Sequence, residues 1–266
     1  MKSRITAAST VLLTGASAGL GRHMARVLGA IGCSLLLVAR RREVLEDLAA
    51  EIGPQAIPVP LDLSQPAVAD RLLAALGDAG VDPHRVDVLI NNAGVGSFGP
   101  FVETDPGRLA VMQRINLRVP MELTRTFAPM MVERGSGTIA NVASVAAFSP
   151  GPLMTEYYAD KAWLLSFGVS LDAELRPHGV HVVTVCPGPF ASDFHGASGM
   201  HVAGMGRMPA ATAVARSAVR AIVRGRLVAP VGAGAQVWRV LGPRLPLRLS
   251  RRLMHALQRR RLPPSS

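Results

Sequence analysis

The sequence is poor in cysteine and in aromatic residues. Its two cysteines, Cys33 and Cys186, belong to no Cys-x2-Cys pair and have no cysteine or histidine beside them. We therefore expect neither a metal site nor a disulfide framework, and a reducing, cytoplasmic compartment fits this usage. Aromatic residues make up only 4% of the chain, which argues against a nucleic-acid surface built on base stacking.

Long apolar runs are also missing. No run approaches the roughly 18 residues that a membrane-spanning helix needs, so we expect no such helix. The start, Met1-Lys2-Ser3-Arg4, is not followed by a continuous apolar stretch, so we expect no signal peptide. The chain is nevertheless 49% hydrophobic with a mean hydropathy of +0.29, which supports a sizeable core and excludes global disorder.

Acidic residues are absent from the C-terminal end. The net charge of +11 is uneven, because 21 basic and 18 acidic residues precede Gln236, whereas eight arginines and no acid lie from there onward. The near-neutral body argues against nucleic-acid binding. We interpret residues 1–232 as one domain and residues 233–266 as a basic tail.

Lysine is nearly absent as well. The chain has 27 arginines but only two lysines, Lys2 and Lys161. Arginine evidently serves wherever either residue would do. The internal Lys161 is therefore a candidate for a role that needs a compact ammonium group rather than a planar guanidinium.

Apolar segments alternate with amphipathic ones along most of the chain. The predicted strands are 10–13, 34–39, 56–60, 86–90, 138–143, 180–185 and 227–229. The first predicted helix ends at residue 31. The other predicted helices span 41–52, 66–79, 106–134, 156–176 and 209–224, with kinks expected at Pro120 and Pro129. Apolar strands alternating with helices predict an α/β fold with a parallel sheet covered on both faces.

A glycine-rich turn separates the first predicted strand from the first helix. Gly15, Gly19 and Gly21 follow Thr14 with the spacing Gly-x3-Gly-x-Gly. Glycines let the backbone approach a pyrophosphate closely, and the N-terminus of the next helix offers free N–H groups to phosphate oxygens. Small residues here also serve helix–strand packing, but the position at the carboxyl end of the first strand favours phosphate binding.

Basic residues follow the second predicted strand, where a carboxylate would accept hydrogen bonds from a ribose 2′-hydroxyl. Arg40 and Arg41 occupy this place. A guanidinium would pair there with a 2′-phosphate, although these arginines also fit the start of a solvated helix. We favour the phosphate contact because arginine opposes the dipole at a helix start. Asp62, after the third strand, fits an adenine contact or a helix N-terminal acid equally well.

Tyr157 and Lys161 are four residues apart in a predicted helix, so they share one helix face. A phenol is a poor base at neutral pH, and a nearby ammonium group lowers its pKa. The pair suits proton exchange with a carbonyl or an alcohol, and Ser144 lies upstream where it would hold the substrate oxygen. Chance surface pairs with this spacing are common, but the scarcity of lysine favours a function.

Together these motifs resemble the classical short-chain dehydrogenase/reductase family. The resemblance covers about Val11 to Ser192. The matching motifs, in chain order, are the Thr-Gly-x3-Gly-x-Gly turn, Asn91-Asn92-Ala93-Gly94, Asn116, the set Ser144, Tyr157 and Lys161, and Pro187-Gly188. The resemblance implies a doubly wound, Rossmann-type sheet of about seven strands and hydride transfer between a nicotinamide cofactor and a carbonyl or alcohol.

The resemblance also implies roles for four catalytic residues. Tyr157 would exchange the proton, and Lys161 would lower the pKa of Tyr157 and bond the nicotinamide ribose. Ser144 would orient the substrate oxygen. Asn116 would hold a water that joins Lys161 to solvent.

The resemblance and the basic residues Arg40 and Arg41 together imply that the cofactor is NADP (NADPH). The implied cofactor-binding residues are Thr14, Gly15, Ser17, Gly19, Leu20, Gly21, Arg40, Arg41, Asp62, Leu63, Asn92, Ala93, Gly94, Tyr157, Lys161, Pro187, Gly188 and Ser192. Two positions depart from the family pattern. Ser192 replaces a usual threonine and keeps its hydroxyl, and Ala143 replaces a common serine.

The segment from Phe190 to Pro209 is the variable part of this pattern. Its methionines and glycines are typical of a mobile apolar lid, and its apolar residues would equally suit core packing. These residues are Phe194, Met200, Val202, Met205 and Met208. We expect a lipophilic ketone as substrate, such as an acyl chain or steroid-like molecule. The alternative is a non-catalytic NADP-binding or membrane-peripheral interaction protein on the same fold.

The tail predicts a basic amphipathic helix, because Leu249, Leu253 and Leu257 recur every four residues with arginines mostly on other faces. Three interpretations are open: docking on the body over the substrate pocket or a subunit interface, attachment to an anionic membrane, and a disordered arginine-rich end. The resemblance also implies a homo-oligomer, a dimer or tetramer, built on the helices near 106–134 and 156–176.

Overall fold

The computed structural model describes residues 5–192, 194–200 and 208–262. Their centre is a sheet of seven parallel strands in the spatial order β3-β2-β1-β4-β5-β6-β7. In chain order the strands are β1 Thr10–Thr14, β2 Ser34–Ala39, β3 Ala56–Pro60, β4 Val88–Asn91, β5 Gly137–Val142, β6 Val180–Pro187 and β7 Val228–Val231. This arrangement confirms the predicted doubly wound α/β fold.

Helices cover both faces of the sheet. In chain order they are α1 Gly19–Ile31, α2 Arg42–Ile52, α3 Val68–Asp78, α4 Pro106–Gln113, α5 Val119–Glu133, α6 Thr155–Leu175, α7 Phe194–Ser198, α8 Ala211–Val223, α9 Ala233–Leu241 and α10 Leu247–Arg259. The sequence patterns did not predict α7 or α9. Within the described ranges, no helix combines the length and the apolarity needed to cross a bilayer.

Neighbouring residues of the central strand β1 enter two different apolar layers. Leu13 belongs to a buried cluster with Met24 of α1. Leu12 belongs to the cluster on the opposite face, with Leu72 of α3 and Phe127 of α5. Because both faces are covered in this way, the strands are apolar throughout rather than alternating.

The strand order reverses at β1, which pairs with β2 on one side and with β4 on the other. Chain crossovers leave this point in opposite directions, and a crevice opens beyond the carboxyl ends of the two strands. The ends of β1 and β4 are Thr14 and Asn91. The motif residues that follow these strands therefore meet at one edge of the sheet.

The helical region predicted over residues 106–134 is interrupted. A π-helical turn, Arg114–Arg118, separates α4 from α5. Pro120 follows the π-turn directly and has no N–H group to donate to the preceding turn, and Pro129 lies within α5. The break thus precedes both prolines. It contains Asn116, in keeping with the frequent occurrence of π-turns at functional sites.

The C-terminal helices pack against the loop between β5 and α6 and against the start of α6. In α9, Trp238 Nε1 donates a hydrogen bond to Ser149 Oγ at 3.2 Å. In α10, Gln258 Nε2 donates one to Tyr158 Oη at 3.0 Å. Residues 247–259 are therefore a docked helix, and the interpretation of this stretch as a disordered end is wrong.

The leucines of α10 do not form its docking face. The helix buries Ser250, Met254 and Gln258. Leu249, Leu253 and Leu257 remain 53%, 40% and 38% exposed. Their stripe lies beside the docked face because they precede the buried positions by one residue, or about 100° on the helix. Residues 247–259 thus form a helix, as expected, and its leucine stripe lies beside the docked face and is partly exposed.

Candidate active site

The glycine turn is tied to the segment after β4 by Thr14 and Asn92. Thr14 Oγ1 donates to the Ile90 carbonyl at 3.2 Å and accepts from the N–H groups of Asn92 and Ala93 at 3.0 and 3.1 Å. Asn92 Nδ2 donates to the Thr14 carbonyl at 2.8 Å. One threonine and one asparagine thus fix the two strand ends that border the crevice.

Two glycines of the turn are required by close packing and a third leaves open space. A Cβ on Gly15, whose φ is +68°, would lie 2.9 Å from Ala93 Cα, and one on Gly21 would overlap the Gly15 carbonyl oxygen. Above Gly19, the only described atom within 4 Å of a Cβ position is Ser192 Cβ, at 4.0 Å. This open cradle at the N-terminus of α1 fits a phosphate group.

Polar side chains line the adjacent side of the crevice. Arg41 Nη2 donates to the carbonyl and hydroxyl oxygens of Ser17 at 3.1 and 3.3 Å, which joins the end of β2 to the glycine turn. Asp62 Oδ1 accepts from the Ser64 N–H and hydroxyl groups at 2.9 and 2.8 Å. These bonds, the backbone one foremost, keep the pKa of Asp62 below its usual value, and Arg40 adds a smaller effect.

The other predicted cofactor residues surround the same crevice. Leu20 and Leu63 are buried in the two apolar layers and support its walls. Pro187 ends β6, and Gly188 N–H donates to the Val231 carbonyl at 3.1 Å. A Cβ on Gly94 would lie 3.3 Å from Lys161 Nζ. The crevice therefore extends from the glycine turn to the lysine of α6.

Lys161 is buried beneath Tyr157. Its Nζ donates to the Val142 carbonyl at 2.9 Å and lies 5.6 Å from the centroid of the Tyr157 ring. Burial lowers the pKa of Lys161 from 10.5 to about 8, and the nearby charge of Asp160 partly opposes this effect. Lys161 is therefore mostly an ammonium ion at neutral pH and loses its proton just above it.

The pKa of Tyr157 is raised, whereas the sequence predicted that Lys161 would lower it. Desolvation of the hydroxyl raises the pKa of Tyr157, and the hydrogen bond with Ser144 opposes the rise only in part. Ser144 itself is fixed at the end of β5, where its Oγ accepts from the Ala146 N–H at 3.2 Å. In the protein alone, Tyr157 is therefore a protonated phenol at neutral pH, the state of a proton donor.

Asn116 is held inside the π-turn by a set of short bonds. Its Oδ1 accepts from the Val95 N–H at 2.9 Å, and its Nδ2 donates to the Val95 carbonyl at 2.9 Å and to Asp160 Oδ2 at 2.6 Å. Burial raises the pKa of Asp160 to about 6. Both amide hydrogens of Asn116 are engaged by these bonds, so a water would be held by an acceptor oxygen of Asn116.

Several neighbours of the site were missed by the sequence analysis. Asp160 stands between Tyr157 and Lys161 in the motif, so its place was visible, but burial and the bond to Asn116 were not. Phe194, noted only as an apolar residue, has its ring centroid 5.2 Å from that of Tyr157. Gln258 carried no signal, because it reaches Tyr158 across 100 residues of chain. Val202 and Met205 lie outside the described residues.

Comparisons with known proteins agree with this geometry. The sequence pattern of the short chain dehydrogenase family matches residues 9–203. A short chain dehydrogenase of Pseudocercospora fijiensis is 36% identical over 190 residues, 69% of this chain and 60% of that protein. The ketoacyl reductase HetN of Nostoc is 37% identical over 182 residues, 67% of this chain and 62% of that protein. The chain thus spans about three fifths of the length of these curated relatives.

Solved structures resemble nearly the whole chain. A short-chain dehydrogenase from Sphingobium yanoikuyae in complex with NADPH has a TM-score of 0.78 and 31% identity, covering 89% of this chain and 94% of its own. A 3-ketoacyl-(acyl-carrier-protein) reductase from Brucella melitensis complexed with NADH has a TM-score of 0.73 and 29% identity, covering 83% and 95%. The seven-stranded sheet, the glycine turn and the matched sequence pattern together show that this chain belongs to the short-chain dehydrogenase family.

Proposed function

We propose that this protein is an NADP-dependent oxidoreductase that interconverts a carbonyl and an alcohol, with Tyr157 as the proton donor and acceptor. The observation that carries the proposal is the geometry of three side chains: the Tyr157 hydroxyl is hydrogen-bonded to Ser144, and Lys161 Nζ lies 5.6 Å from the centroid of the Tyr157 ring. When bound, the nicotinamide cofactor supplies or accepts the hydride at the substrate carbon.

The residues of the chain supply the proton and the charge stabilisation. The hydroxyls of Ser144 and Tyr157 donate to the substrate oxygen as negative charge develops on it. Tyr157 then passes its proton to that oxygen, and the ammonium group of Lys161 stabilises the phenolate that remains. Asn116 donates a hydrogen bond to Asp160, and the Val142 carbonyl accepts one from Lys161. These bonds keep Lys161 in place beside Tyr157 during the proton transfer.

The preference for NADP over NAD is part of the proposal. Arg41 already bridges from the end of β2 to Ser17 in the glycine turn, where a ribose 2′-phosphate would add an acceptor for its guanidinium. Arg40 lies next to it and is exposed. Similar solved structures carry NADPH, NADP or NADH. The feature of this chain that supports NADP rather than NAD is therefore the pair Arg40 and Arg41.

A lipophilic ketone is the proposed substrate. Phe194 packs close to Tyr157, and Met200 is buried after α7, so the side of the site that is distant from the glycine turn is apolar. A very-long-chain 3-oxoacyl-CoA reductase of Phaeosphaeria nodorum is 37% identical over 183 residues. Together with the ketoacyl reductase HetN, this relative supports a 3-oxoacyl thioester as the substrate class.

The test is NADPH oxidation, followed by absorbance, with a panel running from small aldehydes to 3-oxoacyl thioesters. The wild-type protein should reduce the thioesters, and Tyr157→Phe should abolish turnover while NADPH binding, measured by fluorescence, is retained. Tyr158→Phe is the matched control, because it removes the same group from the neighbouring residue. A wild-type protein that binds NADPH and reduces nothing in the panel would instead support the non-catalytic alternative.

We also propose a homo-oligomer, a dimer or tetramer, built on α4, α5 and α6. These helices expose apolar side chains, with Val111 40%, Met121 44% and Val169 36% accessible. Burying such residues against a second copy is favourable by about 25 cal/mol per Å² of apolar surface. Light scattering at micromolar concentration should give a multiple of the 28.0 kDa chain mass. A mass of one chain contradicts this proposal.

A second candidate function, attachment to an anionic membrane surface, is favoured by the exposed face of the tail. Leu247 and Leu249 are 77% and 53% exposed, and Val237 and Leu241 of α9 are 56% and 50% exposed. The eight arginines from Gln236 onward have no acidic residue among them. Each contributes about 1 kcal/mol near anionic lipid, and the same charges disfavour a second copy on this face.

Sedimentation with vesicles tests this attachment. Full-length protein should co-sediment with phosphatidylserine vesicles at low salt and not with neutral ones, and a chain that ends at Gly234 should lose this binding. Replacing Leu249 and Leu253 by glutamine keeps the charge and should weaken it. Failure of the full-length protein to co-sediment even at low salt excludes the membrane proposal.

A further inference from the structure

A cavity of about 340 Å³ lies where the tail helix meets the loop that joins β5 to α6. It is lined by Pro152 of that loop and by Arg251, Arg252 and His255 of α10. The three basic side chains occupy one side of the helix, because they are separated by one, three and four residues. This side is distinct from the stripe formed by Leu249, Leu253 and Leu257.

The arginines of the cavity have no acidic residue in their own part of the chain. The sequence holds no acidic residue beyond Asp193. Within the described part of the chain, the ion pairs involve neither Arg251 nor Arg252. Arg251, Arg252 and His255 are exposed residues at an open cavity. Their two guanidinium groups and one imidazole provide more hydrogen-bond donors than one carboxylate accepts and suit the several oxygens of a phosphate.

The cavity is linked to the catalytic segment by the chain and by one hydrogen bond. Pro152 lies on the segment that starts at Ser144 and leads to Tyr157. Gln258, on the same helix as the arginines, bonds Tyr158, the neighbour of Tyr157. His255 and Arg251 precede Gln258 by three and seven residues, or about 5 and 10 Å along the helix axis. A long substrate with its carbonyl at Tyr157 can therefore extend toward these arginines.

We propose that this cavity binds a phosphate group carried by the substrate at the end remote from its carbonyl. The ligand class is a 3-oxoacyl thioester of a phosphate-bearing thiol, such as coenzyme A. This inference rests on the proposed reductase function and adds to it: the tail helix selects substrates by their phosphate, while Tyr157 and Ser144 act on the ketone. The tail is thus a specificity element of the site.

The kinetic test compares two substrates with the same ketone, acetoacetyl-coenzyme A and acetoacetyl-pantetheine, which lacks phosphate. Replacing Arg251 and Arg252 together by glutamine should raise KM for the coenzyme A thioester about tenfold or more, since it removes two charge-assisted contacts. The kcat and the KM for acetoacetyl-pantetheine should not change. The control replaces Arg216 and Arg220 by glutamine, which removes the same charge from exposed positions of α8.

Calorimetry separates this inference from the reductase proposal. The protein is saturated with NADP⁺, so that the nucleotide of coenzyme A does not enter the cofactor site, and is titrated with coenzyme A, pantetheine or inorganic phosphate. Coenzyme A should bind more tightly than either, and the Arg251/Arg252 variant should lose the difference even if no thioester is reduced. The inference is overturned if the control variant loses as much, if both thioesters respond alike, or if inorganic phosphate binds equally well.

Discussion

The glycine turn borders the crevice, whereas the tail helix packs against the start of α6 at Tyr158, and the two are held in different ways. The turn is fixed by backbone groups, through Thr14 and Asn92, and by glycines that leave no space for a Cβ. The tail helix α10 is held by a short buried face and by one side-chain bond from Gln258 to Tyr158. Its leucine stripe is left exposed.

This difference separates two tasks. The turn and the residues of α6 belong to the sheet and its covering helices, so their geometry follows from the core of the fold. The tail can vary without disturbing that core. We infer that cofactor binding and proton transfer depend on the first region, and that substrate choice depends on the second.

The largest expected effect concerns Lys161. Lys161→Arg should lose most activity, about 10²-fold or more, because a planar fork does not fit the buried place of an ammonium group. In the wild-type protein, kcat for reduction should fall as pH rises above about 8, since the lowered pKa of Lys161 means that its positive charge is lost there. A pH profile from 6 to 10 measures this fall. A rate that stays constant through pH 9 contradicts the assigned role.

A comparable effect, on folding rather than on rate, is expected for the turn. Gly21→Ala should lower the free energy of unfolding by about 3 kcal/mol, since the new Cβ overlaps the Gly15 carbonyl oxygen, a backbone atom of a fixed turn. Gly77→Ala in α3 is the matched control: nothing described lies within 4 Å of its Cβ position, so it should be neutral or stabilising by up to about 1 kcal/mol. Urea unfolding of both variants measures this difference, and equal free energies of unfolding would contradict the prediction.

The cofactor preference comes next in size. Wild-type protein should prefer NADPH over NADH by about tenfold or more in kcat/KM, because a charge-assisted bond to the 2′-phosphate contributes about 1.5–3 kcal/mol. Arg40→Ala with Arg41→Ala should remove the preference, largely by weakening NADPH. Equal use of both cofactors by the wild-type protein would show that Arg41 serves only its bonds to Ser17.

The smallest effect is expected in the tail. Gln258→Ala should cost about 1 kcal/mol of stability, since it removes the hydrogen bond to Tyr158 from a buried position. Gln236→Ala removes the same amide from an exposed position of α9 and should cost nothing measurable. Thermal unfolding compares them, and turnover of small ketones should be the same in both. A large loss of turnover in Gln258→Ala would show that the tail is part of the catalytic frame.

Local sequence patterns predicted most of the fold and identified the candidate catalytic residues. The strands Ser34–Ala39 and Ala56–Pro60 have the predicted boundaries, because a continuous apolar run bounded by charged or turn residues has few alternatives. The helical region over 106–134 was predicted with kinks at Pro120 and Pro129, whereas its irregularity is a π-turn at Arg114–Arg118, which has no residue signature of its own. The direction of the Tyr157 pKa shift was also missed, since desolvation depends on what packs around the hydroxyl.

The sequence by itself determined the α/β class, the glycine turn, the pairing of Tyr157 with Lys161 and the amphipathic character of the tail. Each depends on residue types at short spacing, where helix and strand geometry fixes which side chains are neighbours. Only the tertiary structure decided which face of α10 docks, that Gln258 reaches Tyr158, and that Arg251 and Arg252 line a cavity beside the catalytic loop. Such contacts join residues about 100 positions apart, and packing rather than local periodicity selects them.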